Sequence, residues 1–166
     1  MRKYIAVAGL LALVSTTAWS AESPVSGGGE GWRLGWLRNE KADVFREYIV
    51  DEKDPTNRSE LMTTQFYAGL QNKTSPEKFE AQVKKDLLQA CPGAKWTSVS
   101  HKKNERLWSW SVAGCPGEAD RSELARLVSA EKGMHIFRYS AIGAPMPEAK
   151  KKAWLKKLGG IKISKE

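Results

Sequence analysis

This chain has few side chains with which to do chemistry. Its two histidines are His101 and His135, and its two cysteines are Cys91 and Cys115. Glu118, Asp120 and Glu123 stand together just after the second cysteine. A carboxyl pair cleaves glycosidic bonds when roughly 5 to 9.5 Å separates its members and burial raises one pKa. With His135 added as an acid–base group, these residues would suit a small hydrolase. No motif accompanies them. The sequence has no Gly-x-Ser-x-Gly elbow, His-Glu-x-x-His, phosphate loop or Gly-x-Gly-x-x-Gly. Gly27-Gly28-Gly29 has no strand before it and is not a phosphate loop. A charged turn is ordinarily solvated, and His135 shares a strand face with Phe137 and Tyr139, as a packed histidine does. No catalytic residue is assigned on these grounds.

What the cysteines do depends on the compartment. Arg2 and Lys3 followed by the apolar run Ile5 to Val14 have the form of a secretory signal peptide. Ala18-Trp19-Ser20 offers small residues at −3 and −1, which predicts cleavage after Ser20. The run is much shorter than the roughly 20 residues that span a bilayer, so no anchor is expected to remain. No cysteine follows it closely enough for a lipid anchor. The expected product is a soluble periplasmic or secreted protein, in a compartment where a cysteine pair forms a disulfide. Cys91-Pro92-Gly93 and Cys115-Pro116-Gly117 each place the thiol at a chain reversal. Closing that loop contributes about 3.5 kcal/mol on a chain-entropy basis. A redox pair would need Cys-x-x-Cys, and a zinc site would need histidines at spacings that His101 and His135 do not have. Neither a metal nor a cofactor is expected.

Binding is the other class of function. The formal net charge is +8, reduced by two once Arg2 and Lys3 are removed. An excess of this size favours solubility and draws a protein toward anionic surfaces. Six of the seven tryptophans lie beyond the signal peptide. Trp108 and Trp110 share a strand face, either as core or as a stacking platform. Trp32 and Trp36, on an N-terminal hairpin, are the candidate exposed anchors. Lys150, Lys151, Lys152, Lys156 and Lys157 surround Trp154 on a basic amphipathic helix. That helix is either the solvated back of a core element or a ligand for an anionic membrane.

These residues must be positioned by one domain. Residues 21–31 form a Gly/Ser-rich leader, and 32–166 suffice for a single core. Trp32, Leu34 and Trp36 alternate with Arg33 and Gly35, which predicts one half-buried strand face. Val44 to Val50 and Glu60 to Tyr67 read as the next strands. Thr74 or Ser75 caps a helix that carries Phe79, Val83 and Leu87 on one stripe and ends at Cys91. Two hairpins follow, Trp96–His101 with Leu107–Ala113 across Lys102 to Arg106, and Ser122–Ala130 with Met134–Ile142. Pro145 and Pro147 lead into a second helix whose stripe is Trp154, Leu155 and Leu158. Gly159-Gly160 should stop it, and Ile161 with Ile163 could add an edge strand. The expected class is α+β: an antiparallel sheet of about six or seven strands, two packing helices and one disulfide.

Glu60-Leu61-Met62-Thr63-Thr64-Gln65-Phe66, the helix ending in Cys91-Pro92-Gly93 and the strand ending in Cys115-Pro116 resemble a family of small exported proteobacterial proteins. Glu123, the Gly133 to Tyr139 strand and the Trp154…Leu158…Ile161 tail extend the likeness over about Glu60 to Ile163. Glu118-Ala119-Asp120-Arg121 departs from it. The layout is also similar to the αβα sandwich of PsbP-like proteins. The resemblance implies the disulfide and the topology and brings no activity. The function expected is that of an exported, non-enzymatic binding or accessory protein of the cell envelope. Its partner would be a protein or an anionic envelope component rather than nucleic acid. A small envelope hydrolase and a secreted inhibitor or immunity-type protein are the alternatives.

Overall fold

The computed structural model describes residues 31–40, 43–50, 59–143 and 145–163. The expected signal peptide, and the leader through Glu30, lie outside them. Seven strands form one sheet: β1 (Trp32–Glu40), β2 (Asp43–Val50), β3 (Glu60–Ala68), β4 (Lys95–Lys102), β5 (Glu105–Val112), β6 (Arg121–Ser129) and β7 (Gly133–Ile142). The spatial order is β1-β2-β3-β7-β6-β5-β4, with every neighbouring pair antiparallel. Two meanders are therefore joined edge to edge where β3 meets β7. Helix α1 (Pro76–Ala90) connects them, and α2 (Glu148–Gly160) follows β7. The α+β class, the single sheet and the two helices agree with the reading of the sequence.

Cross-strand register assigns every strand residue to one of two faces, because directly opposite residues point the same way. One face buries Tyr48, Met62, Leu107, Leu124, Phe137 and Tyr139 under Trp154 and Leu158 of α2. The other buries Trp108, Ala125, Leu127, Met134 and Ile136, with Phe79 of α1, Trp96 and Trp110 packed around them. The result is a helix–sheet–helix sandwich. Trp108 is core, 1% exposed.

Helix α1 starts at Ser75, not Thr74. The Ser75 hydroxyl accepts the Lys78 N–H at 3.2 Å, and Pro76 occupies the first turn, where a missing N–H costs nothing. Its apolar stripe lies shallower than the spacing implies, with Phe79, Val83 and Leu87 only half-buried. The buried residues of α1 are Pro76 and Glu80. Glu80 accepts from Ser98 Oγ at 2.6 Å and faces Arg106 Nε at 3.5 Å, so a carboxylate holds the helix to β4 and β5. Its far end is fixed by the Cys91–Cys115 disulfide, whose Cα atoms are 5.8 Å apart.

Three local expectations are corrected. The β4–β5 turn is tighter than Lys102 to Arg106, because both of those residues lie in the strands. Helix α2 runs through Gly159-Gly160 and ends at Ile161. Ile161 and Ile163 form no strand; they pack on the core beneath α2. Arg126 makes that ending possible. Its buried guanidinium donates to the carbonyls of Leu158 at 2.8 Å and Ile161 at 2.6 Å, satisfying orphan acceptors at the helix end.

Candidate functional site

The expected hydrolase residues do not assemble. Glu118 and Asp120 are exposed, and the Asp120 carboxylate accepts the Gly114 N–H at 2.8 Å. Glu123 is buried at 5% exposure on the α1 side of the sheet. It accepts from Trp110 Nε1 at 3.2 Å and from Arg121 Nη2 and Ser140 Oγ at 3.0 Å each, with Arg138 Nε at 3.7 Å. His135 pairs with Val128 and Phe66, which places it on the α2 side. Its ring centroid lies 4.7 Å from that of Phe66 and 6.2 Å from that of Phe137. The sheet itself separates the carboxylate from the imidazole, so the two cannot act on one substrate. His101 is exposed at a hairpin end. Among the described residues no three His, Cys, Asp or Glu side chains group to hold a metal ion.

The proposed anchors are also divided, and a single residue divides them. Leu34 pairs with Tyr48, but Trp36 pairs with Glu47, leaving Gly35 as the extra residue of a β-bulge. A Cβ on Gly35 would come to 3.2 Å from Ile49 Cγ2, so the bulge sits where a side chain would crowd its neighbour. Beyond the bulge the alternation is inverted. Trp32 and Leu34 share the face of Tyr48, whereas Trp36 shares that of Phe45 and Glu47.

Trp32 is consequently half-buried rather than a free anchor. Its ring meets Trp154 edge-on at 5.9 Å and Tyr139 at 6.4 Å. Trp154 stacks on Tyr139 at 4.0 Å, and Lys157 Nζ lies 4.6 Å from the Trp154 ring centroid. Lys150 pairs with Glu60, whose second oxygen accepts the Tyr139 hydroxyl at 2.6 Å. Burial would raise the Glu60 carboxyl, but its bonds to Lys150 and Tyr139 and the Lys150 charge outweigh that and hold it low. Burial, then the neighbouring Glu60, pushes the Tyr139 hydroxyl up. Lys151 is half-buried, and Lys152 and Lys156 are exposed.

Trp36 is 48% exposed, and beside it Leu34 at 48% and Leu37 at 44% are uncovered on the same strand. The Trp36 ring meets Phe45 edge-on at 5.1 Å, and the Arg38 guanidinium lies 5.6 Å from one ring centroid and 6.0 Å from the other. Every residue of β1 after Trp32 is exposed. The surface is therefore an aromatic and cationic patch on an edge hairpin. Leu34, expected on a half-buried face with Trp32 and Trp36, is exposed, and Leu37, Arg38 and Phe45 carry no signal of their own in the sequence, because the period-2 pattern hides the inversion at Gly35. The one available signal was Leu34 and Leu37 at odd separation around a strand glycine.

No family model matches this chain, and no curated protein matches it. No helix among the described residues is long and apolar enough to cross a membrane. What the patch can do must be argued from its own chemistry.

Proposed function

We propose that this is an exported, disulfide-stapled accessory protein of the cell envelope that works by binding, through the β1–β2 hairpin. The observation that carries this reading is the exposure of Leu34, Trp36 and Leu37 together on one edge strand. Single exposed apolar residues are ordinary, whereas here both faces of one edge strand carry them, Trp36 with Arg38 and Phe45 on one and Leu34 with Leu37 on the other, so a partner clasping the edge would cover all three. Trp and Arg are the residue types that dominate interface energetics, and Arg38 lies over both Trp36 and Phe45. The partner is a protein or an anionic envelope component. The hydrolase alternative loses support because Glu123 and His135 occupy opposite faces.

Trp36→Ala and Trp32→Ala separate surface from core. With purified protein and isolated envelope fractions, Trp36→Ala is expected to weaken association about tenfold or more. Its melting temperature should stay within a degree or two of the parent. Trp32→Ala should lower the melting temperature by several degrees, because it removes packing against Trp154 and Tyr139. Undiminished association of Trp36→Ala would rule out the hairpin as the binding surface.

A further inference from the structure

Strand β1 offers a sheet edge, and its sequence selects what can pair with it. Among the described residues no strand lies outside β1 in the sheet order. Natural proteins guard such edges with like charges, proline or bulges so that copies do not join. The opposite edge, β4, follows that rule. If β4 met itself antiparallel, with the bulge near Val99 skipped in both copies, Lys95 would face Lys102.

From the register of β1 we infer that its partner is a second copy of the same strand. In an antiparallel two-fold pair that continues the sheet, each residue keeps its face, so only same-face residues can stand opposite one another. Gly35 is skipped against β2, and skipping it again on the outer edge leaves two registers that span the strand, one centred on Trp36 and one on Leu37. The first sets Arg33 against Arg38, so the second is the one whose charges match. There Leu37 meets Leu37, and Trp36 meets Arg38 of the second copy. Leu34 meets Asn39, and Arg33 meets Glu40. Every pair but the axial Leu37–Leu37 occurs twice, and every pair shares a face. The opposite charges of Arg33 and Glu40 face each other at both ends, with Glu40 also 3.6 Å from Arg38 of its own strand. A cationic side chain meets an indole, and the axis is apolar. Arg33, Glu40 and the residues between them are all exposed. The bulge that moves Trp36 off the Trp32 face is what makes this register consistent. A straight nine-residue strand centred on Leu37 would pair Gly35 with Asn39 and leave Arg33 opposite residue 41.

The inference rests on reading β1 as the interaction surface and specifies one occupant of it. A nine-residue edge makes a small interface of the transient class, so dissociation in the micromolar range is expected. The test is sedimentation equilibrium of the oxidised protein up to about 1 mM. The parent should form dimers, and Arg33→Glu and Glu40→Arg should each weaken dimerisation about tenfold or more by placing like charges opposite one another twice. The double variant should regain the parent affinity. An equimolar mixture of the two single variants should form heterodimers, since each then supplies the charge that the other lacks. Leu37→Lys, at the axis, should be monomeric while its melting temperature stays near the parent's.

A monomeric parent at the highest concentration overturns the inference. So does a dimer in which neither the charge exchange nor Leu37→Lys has any effect. A monomer whose envelope association still depends on Trp36 removes the second copy and leaves the proposed function intact. A dimer that follows the charge exchange, with envelope association indifferent to Trp36, supports the second copy and removes the other reading.

Discussion

Tyr139 shows how much can depend on one hydroxyl. It stacks on Trp154, donates to Glu60, and so shares a carboxylate with Lys150. Glu60 is held below its ordinary value of 4.5, since Lys150 and Tyr139 outweigh the upward push of burial. A carboxyl depressed in the folded state takes up its proton more readily when the chain unfolds. Its stabilising contribution is therefore complete above the unfolded pKa and is lost as pH falls through the folded one. Glu105 adds with the same sign, because Arg126 and Lys102 lower it against burial. Melting temperature should accordingly fall below about pH 4.5, and Glu60→Gln should flatten part of that fall. Thermal melts of both proteins from about pH 7 to pH 3 measure it. An identical pH dependence in the variant would show that Glu60 is not the sensor. Glu123 was legible in the sequence as an acidic residue near a cysteine turn, but its burial was not. Only the register shows Ser140, Trp110 and Arg121 converging on it.

Elements were easier to read than the contacts between them. Strand order along the chain, both helices and the cysteine pair followed from alternation, turn residues and compartment, all of which are local signals. Failures came where a tertiary contact overrides local preference. Gly159-Gly160 stays helical because Arg126 reaches the last carbonyls. Ile161 and Ile163 pack on the α2 core instead of extending the sheet. The bulge at Gly35 splits Trp32 from Trp36, and along β1 only the odd separation of Leu34 and Leu37 around a glycine points to it. Helix α1 carries the largest consequence of this kind. With Phe79, Val83 and Leu87 half-buried, it depends on Glu80 at one end and the disulfide at the other. Replacing both cysteines by serine should cost about 3.5 kcal/mol, read as a lower urea midpoint at unchanged slope. Hydrogen exchange should accelerate first in α1, while β3, β6 and β7 stay protected. Uniform acceleration across the sheet would show that the staple supports the whole fold rather than one layer.

At the scale of the molecule, the two helices determine how the positive charge can be used. The chain carries +8 in all, and α2 concentrates five lysines around Trp154. A helix lying in a membrane interface must bury its apolar stripe among lipids. Here that stripe is already committed, since Trp154 and Leu158 are buried against the sheet with Tyr139 beneath them. Lys150 is paired with Glu60, and Lys157 lies over Trp154. Lys152 and Lys156 remain outward, so contact with an anionic surface would be electrostatic and shallow. Each basic residue near such a surface contributes about 1 kcal/mol, so exchanging both for glutamate should weaken binding to anionic vesicles more than about tenfold. Raising the salt concentration should release the parent protein as well, because exposed charges are screened within about 10 Å at 0.1 M. In a Trp36→Ala background, which removes the exposed indole of the hairpin, tryptophan emission should not move to the blue on binding, since insertion would require α2 to leave the sheet and give up the Trp154 and Leu158 packing. A blue shift together with salt-resistant binding would show that the sandwich opens at α2. The charge excess would then belong to a membrane-inserting device and not to a solvated face.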